Sequence, residues 1–507
     1  MAPAGPPSSS LSRRLTFDRL LAAILFLAIF SMALREIRDS DSWWHLAAGR
    51  WMLAQGEIPL HDPFSHTRLG ERWIDHGWLA QLVFYLLFAA GGYAGPILLV
   101  AALVALAFYL VWRQTPEANR WLRAFTLILG AITSAGIWAV RPQLVSFALT
   151  AVVAYLLYCF KAGRRGVIWW LLPITVLWAN VHGGFAIAFI LVGAYAAGET
   201  ANHLLGHEDR LAWRDIGLLV GVALLAWLLV PLNPNGARLW AYPFQTVSLG
   251  VLQDFIQEWR SPDFHQIHFQ PFILLLMAAV LALGLSGRRA DATDLLLLCL
   301  SAGMTLLAAR NIALFALLAP PVVVRYGQSA LEAWRSRRPP GWAPRPAPDE
   351  AVMTPGRAGL HWTLVALALM LALLRVRAAA GLQANEAAQA ADQPVGALAH
   401  LRQARPAGLL FNNYNWGGYL IWAAPDYPVF VDGRTDLYGD ALLRDYLSAT
   451  FGGDGWRALL EAHDVNLVLI EPGTGLAGRL AAEPGWQLAY QDRLSVVYQR
   501  ARPVAAE

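Results

Sequence analysis

A chain of 507 residues that is 57% hydrophobic and only 15% charged is no ordinary soluble protein, in which about 25% of residues carry charge. Its two cysteines, Cys159 and Cys299, lie inside apolar runs, which excludes a disulfide framework or a thiolate metal site. The net charge of +4 comes almost wholly from arginines between apolar runs, Lys161 being the sole lysine, and no nucleic-acid partner is expected.

Residues 1–16 are rich in Pro and Ser, end near Arg13-Arg14, and read as a disordered cytoplasmic start. The apolar run at about 20–34 has no small-residue cleavage site and reads as a retained first span. Many more apolar runs near 20 residues follow, each long enough to cross about 30 Å of hydrocarbon.

Directly after the first span comes an outer loop, 35–76, crowded with Asp39, Asp41, Asp62, Asp75, His45, His61, His66 and His76 among several tryptophans. A plain connection between spans needs no such density of acids and imidazoles, so ligand binding at the membrane surface is expected here. Asp41 and His45 are four apart and share a helix face, with Ala48 and Gly49 leaving room above them. Trp44, Ala47 and Trp51 form a neighbouring apolar stripe, which predicts a helix lying in the interface with its aromatics in lipid. The bland alternative is a solvated loop with interfacial anchors.

Basic loops at 113–123, 161–165, 210–214, 288–289 and 325–357 alternate with basic-poor polar turns, and the positive-inside rule puts the polar turns outside. That alternation favours one crossing at 93–112, with 78–90 re-entrant or lying along the interface. Further spans are expected at 122–139, 143–160, 167–180, 184–201, 215–231, 270–286, 292–308, 312–326 and 359–376. The membrane domain thus covers 17–376 with about 11–13 spans. Within it, 327–358 is an Arg/Pro-rich cytoplasmic linker expected to be disordered. An Ala/Gln-rich connector at 377–393 leads to a small extracytoplasmic α/β domain, 394–507. Its expected strands are 409–412, 429–432, 467–470, 487–490 and 495–498, with helices at 419–424, 441–451, 456–462 and 476–482.

The outer turns carry further candidates. Arg141-Pro-Gln143 and Asn180-Val-His182-Gly-Gly each interrupt apolar sequence, where polar groups are costly unless they pair or line a cavity. Each also reads as a helix-breaking turn with a satisfied cap. Arg310 ends an apolar run on the side where basic residues are sparse, which suits an anionic ligand or a carboxylate partner. Glu258 lies in the longest outer loop, 231–270, whose residues could cover a cavity but which reads first as a structural connection.

The acidic, tryptophan-flanked first outer loop, the many spans and the C-terminal outer domain together resemble the GT-C superfamily of polyprenol-phosphate-sugar-dependent membrane glycosyltransferases. That group includes the aminoarabinose, protein-mannosyl and oligosaccharyl transferases, and the chain is most similar to bacterial GT-C-like membrane proteins. Asp39-Ser-Asp41-Ser-Trp-Trp-His45 looks like the oligosaccharyltransferase pattern of an acid followed by aromatics and a His or Asn. Gly56-x-x-Pro59-x-x-Asp62 fits the segment often found just downstream. Asn415-Trp416-Gly-Gly-Tyr419 is similar to the Trp-Trp-Asp-Tyr-Gly motif of oligosaccharyltransferases, and Asp432-Gly-Arg434-Thr follows it. The motif's Asp is missing, so recognition of a peptide sequon does not carry over.

The resemblance implies a multi-pass protein of the bacterial inner membrane that moves a sugar from a polyprenyl-phosphate donor to an extracytoplasmic lipid, glycan or protein. Asp39 or Asp41 would be the catalytic base. His45, Asp62, Arg141, His182, Glu258, Arg310, Trp416, Asp432 and Arg434 are the candidate substrate-binding residues. Arg141 and Arg310 suit a lipid phosphate, which guanidinium groups grip bidentately. If Mg2+ or Mn2+ takes part, Asp39, Asp41 and His45 offer hard ligands. A non-catalytic scaffold, or a transporter or flippase of a lipid-linked glycan, remains open, although no second copy of the Asp/Trp stretch suggests the internal repeat common in transporters.

Overall fold

The computed structural model of the chain describes residues 16–337 and 354–501. The expected disordered start, apart from residue 16, and the middle of the 327–358 linker therefore lie outside the described residues.

Apolar runs become helices where a capping side chain starts them. Thr16 caps α1 (Phe17–Ala33), Asn119 caps α5 (Arg120–Ser134), Asp291 caps α13 (Ala292–Leu307) and Thr354 caps α15 (Pro355–Ala379), each accepting an amide proton of the first turn. Between them lie α2 (Asp41–Gln55), α3 (Trp78–Gly91), α4 (Ala94–Trp112), α6 (Gln143–Lys161), α7 (Leu171–Val181), α8 (Ala186–Leu204), α9 (Trp213–Leu229), α10 (Arg238–Val247), α11 (Gly250–Phe255), α12 (Gln270–Leu285) and α14 (Ile312–Ser336). Six helices among the described residues are long and apolar enough to cross a membrane.

Contacts between helix ends give the direction of each. At one end, Phe17 meets Trp121 and His361, and the Asn119 amide donates to Gln328 of α14. Lys161 pairs there with Glu199 and Asp291, and Tyr326 of α14 donates to Asp294. At the other end, Arg375 donates to the Leu34 carbonyl, Arg35 to that of Ala135, and Asn180 to that of Leu232. By this pattern α1, α4–α9 and α12–α15 each run from end to end.

Helix α3 does not. Its first turn begins beside Pro142, and Phe88 near its last turn packs on Tyr93 and on Trp422 of the C-terminal domain. Helix α2 lies along it so closely that a Cβ on Gly49 would sit 2.4 Å from the Gln81 carbonyl. Residues 76–112 thus pass through the bundle once, in α4.

Helix α2 corrects one expectation. Of the stripe Trp44, Ala47 and Trp51, Trp51 is half-buried, whereas Trp44 is 7% exposed and its neighbour Trp43 1%, so these two do not face lipid. They are covered by α3 and by α18 (Gly417–Ala423), where Trp43 packs on Tyr419 and Trp422. Before α18 come α16 (Leu382–Asp392) and α17 (Val395–Ala404). The 377–393 connector is therefore largely helical. Likewise α14 runs to Ser336, carrying regular helix ten residues into the stretch read as a disordered linker.

The C-terminal domain holds a four-stranded sheet ordered β1-β2-β4-β3, built from β1 (Leu409–Asn412), β2 (Val465–Ile470), β3 (Trp486–Gln491) and β4 (Val496–Arg500). The β1–β2 pair is parallel and the others antiparallel. Helices α19 (Thr435–Thr450), α20 (Trp456–Ala462) and α21 (Gly475–Ala481) complete it. The expected strand at 429–432 is not part of the sheet. The Val429 amide bonds the Phe64 carbonyl and the His66 amide bonds the Val429 carbonyl. The Asn412 side chain meanwhile takes the Phe430 amide and the Val431 carbonyl. The outer loop thus claims the edge that a fifth strand would have used.

Candidate active site

Two glycines let the C-terminal domain reach the start of α2. A Cβ on Gly418 would lie 2.3 Å from the Ser40 carbonyl, and one on Gly433 would lie 1.9 Å from Asp41 Oδ1. A side chain at Gly418 would strike backbone and one at Gly433 would displace the Asp41 carboxylate, so the Asn-Trp-Gly-Gly and Asp-Gly-Arg-Thr segments lie close against the acidic loop. Beneath that contact is a cavity of about 260 Å³. It gathers Asp41, His45, Arg141, His182, Glu258, Arg310 and Arg434 from the sequence candidates, and adds Asp75, His76, Tyr242, Trp259, Tyr414 and Asp436.

Arg141 is the centre of its charge. The break between α5 and α6 at Arg141-Pro142 sets the guanidinium 3.2 Å from Asp39, 2.9 Å from Asp41 and 3.1 Å from Glu258. Three carboxylates hold Arg141 charged, well above the usual arginine range despite its burial. Glu258 is pulled below the usual carboxylate range, first by Arg141. Asp41 goes the other way: burial pushes its carboxyl up to about 6, against the pull of Arg141. Trp44 donates its indole N–H to Asp41 at 3.2 Å, and the Asp41 amide is held by Asp39 at 2.9 Å.

Arg310 stacks on Trp259 with its guanidinium carbon 4.3 Å from the ring centroid. Among the described residues no carboxylate lies within ion-pair distance of it. A second cleft of about 610 Å³, with Phe269 and Ile312 among its lining, shares Arg141, Gln143, Glu258 and Arg310 with the cavity and adds Asp39. The two arginines therefore form a wall between two openings.

Imidazoles line the remainder. His45 sits one turn after Asp41, its ring 3.6 Å from that of Trp44. Burial, reinforced by Arg141, holds it neutral. His76 accepts from the Gly183 amide at 2.9 Å, and burial takes its pKa down to about 4. His182 bonds Ser146 at 2.7 Å and accepts from the Gly184 amide at 3.0 Å. Asn180, its neighbour in sequence, is turned instead to Trp78 and Asn233.

Arg434 ties the cavity's edge to candidates that lie outside it. Arg434 Nη1 is 2.5 Å from Asp62 and its Nη2 is 2.7 Å from Asp432, with Tyr438 donating to Asp432 at 2.6 Å. All three charged side chains are 1% exposed or less. Arg434 borders the cavity; Asp62 and Asp432 do not. Trp416 is buried and donates its indole N–H to the Asp392 carbonyl at 3.2 Å, outside the cavity.

The acids do not fit a divalent ion as they stand. The Arg141 guanidinium fills the place between Asp39 and Asp41, and His45 donates nothing to either. Among the described residues, no three His, Cys, Asp or Glu side chains converge closely enough to hold an ion. No step below is routed through one.

Tyr242, Trp259, Tyr414 and Asp436 are absent from the sequence candidates. Asp75 and His76 carried a signal, their place in the acidic loop; Tyr414 directly precedes the Asn415-Trp416-Gly-Gly segment, and Tyr242 carried none.

No family model matches the chain, and no curated protein matches it by sequence. Solved structures do. It is similar to the oligosaccharyltransferase AglB from Archaeoglobus fulgidus, solved in complex with an inhibitory peptide and a dolichol-phosphate (TM-score 0.57, 14% identity, 89% of this chain and 69% of that one). The same enzyme tethered with an acceptor peptide aligns at TM-score 0.55 and 13% identity, over 97% of this chain and 75% of that one. ArnT from Cupriavidus metallidurans in the apo state aligns at TM-score 0.51 and 12% identity over 97% and 98% of the two chains. At these identities the likeness is one of fold: the chain shares the fold of AglB and ArnT.

Proposed function

We propose that this multi-pass membrane protein of GT-C fold is a glycosyltransferase that takes a sugar from a polyprenyl-phosphate donor and passes it to an acceptor hydroxyl outside the cytoplasm. One observation carries the reading. Arg141 joins Asp39, Asp41 and Glu258 at a cavity that also holds Arg310. That puts a base and two cations within one site at one end of the bundle.

Glycosyl transfer from a lipid phosphate passes through an oxocarbenium-like state while negative charge builds on the departing phosphate. Arg310, without an ion-pair partner and stacked on Trp259, meets that phosphate, and Arg141 exchanges part of its carboxylate contacts for it. Donors aimed at where charge develops stabilise the transition state more than the ground state. Asp41, its carboxyl raised by burial to about 6, accepts the acceptor hydroxyl's proton. Asp39 and Trp44 hold Asp41 in place. The second cleft carries Ile137, Phe269 and Ile312 on an otherwise largely polar wall, which supports a place for the start of the polyprenyl tail beside the phosphate. A dolichol-phosphate is part of the complex in one structure of like fold, which supports a lipid of that chemistry.

The test is turnover. The purified full chain is incubated with undecaprenyl-phosphate sugars carrying a radiolabelled sugar, in the presence of a cell-envelope extract as acceptor. Label should leave the lipid fraction and bare undecaprenyl phosphate should accumulate. Donor that binds and is never consumed would move the chain to the scaffold or flippase class.

A further inference from the structure

Two nearly fully buried polar groups on the cavity wall have an atom without a partner. Asp75 is 3% exposed. Its Oδ1 accepts from Gln81 at 2.6 Å and from the Gly77 amide at 3.2 Å, while its Oδ2 has no partner. His45 is 5% exposed, and its Nδ1 likewise has none. Both line the cavity together with Trp44, Trp73 and Tyr242.

Buried polar groups in folded proteins are nearly always satisfied, so two orphaned atoms on residues that line one cavity point to an occupant that reaches them. Its chemistry follows from the wall. Asp75 forms no ion pair with either arginine, and the phosphate goes to the guanidinium groups, so this is not the phosphate's place. A sugar ring fits. Its hydroxyls donate to a carboxylate oxygen and to an unprotonated imidazole nitrogen, and its C–H face lies against indole and phenol rings. Trp44 and Trp73 stand 6.1 Å apart between ring centroids, edge to face, with His45 against Trp44 and Arg434 over Trp73, so the apolar part of the wall is a tight aromatic cluster.

We propose that Asp75 and His45, among Trp44, Trp73 and Tyr242, form the subsite that recognises the donor's sugar. This rests on the glycosyltransferase reading above. It makes Asp75 a specificity-determining residue, set apart from Arg141 and Arg310, which take the phosphate. Burial pushes the Asp75 carboxyl up to about 7, so near neutral pH it accepts from one hydroxyl or donates to another.

The experiment compares two ligands on the detergent-purified full chain: bare undecaprenyl phosphate, and undecaprenyl phosphate bearing glucose, galactose, mannose or N-acetylglucosamine. Wild type should hold at least one sugar-bearing lipid more tightly than the bare one. Asp75→Asn keeps the acceptor for Gln81 and Gly77 while replacing Oδ2. His45→Phe keeps the ring against Trp44 and removes the nitrogen. Each should weaken the preferred sugar-bearing lipid about 10-fold, which is about 1.4 kcal/mol, with binding of bare undecaprenyl phosphate unchanged. Equal weakening of both ligands, or of neither, overturns the subsite. So does a lowered melting temperature with unaltered preference for the sugar. A wild-type protein that holds bare undecaprenyl phosphate but gains nothing from any sugar overturns the subsite alone. One that holds neither lipid overturns the glycosyltransferase reading as well.

Discussion

Arg141 Nη2 lies 2.9 Å from Asp41 Oδ2, joining the first outer loop to the turn between α5 and α6. The same guanidinium reaches Asp39, 102 residues away in sequence. Arg141 needs these carboxylates to offset its burial, and Asp41 needs Arg141 to remain ionisable in a site that raises its pKa. The pair therefore sets both the charge of the cavity and the pH at which its base works.

The pH dependence follows. Asp41 titrates at about 6 because burial disfavours its charged form, whereas an unperturbed aspartate titrates near 3.9. A base must be ionised to accept a proton, so kcat/KM should climb about tenfold per pH unit below 6 and level off above it. A pH–rate profile flat between 5 and 7.5 would remove Asp41 from that role.

The Asp62–Arg434–Asp432 cluster ties the first outer loop to the C-terminal domain from within. Arg434→Met leaves two buried carboxylates without their cation, and breaking such a pair costs about 3–5 kcal/mol. The variant should melt at a clearly lower temperature and be nicked by protease within the outer loop, 56–72. An unchanged melting temperature would show that these charges do not hold the domain.

What the sequence could and could not reveal divides along this line. Charge alternation between loops placed Arg141, Glu258 and Arg310 on the side of Asp39 and Asp41, because that signal is additive along the chain and needs no pairing information. Asp62 and Arg434 carry the same kind of polar signal, yet they meet across 372 residues in a dry interface. Residue type alone does not tell such a clasp from a ligand site. Trp44 looked like a lipid anchor because α18, which packs on the start of its helix, lies far along the chain. Residues 429–432 alternate like a strand, and their edge is taken by the outer loop instead. Asp75 was visible as one acid among several; its orphaned oxygen depends on which groups Gln81 and Gly77 satisfy.

Arg310 separates phosphate binding from fold maintenance. Arg310→Lys keeps the charge and loses the planar fork that grips two phosphate oxygens. Undecaprenyl phosphate should bind more weakly, with the melting temperature nearly unchanged. A drop in melting temperature with unaltered binding would make the stack on Trp259 its whole purpose.

Sidedness is testable without any substrate. Glu208 lies on an exposed turn at the end of the bundle away from the site, and Asp454 is exposed in the C-terminal domain. In a chain whose Cys159 and Cys299 are replaced by alanine, Asp454→Cys should react with an impermeant maleimide on intact cells and Glu208→Cys should react only after permeabilisation. Equal labelling of both would overturn the placement of the site outside the cytoplasm.

The most direct measurement is the single-turnover rate of sugar release from a radiolabelled undecaprenyl-phosphate donor by wild type, Asp41→Asn and Asp39→Asn, each shown to be folded and to bind the donor. Loss of a positioned base costs about 10²–10⁴-fold. Asp41→Asn should be slowed by that much, and Asp39→Asn by less, because Asp39 positions Asp41 and shares Arg141. An Asp41→Asn protein that releases sugar at the wild-type rate would contradict the account.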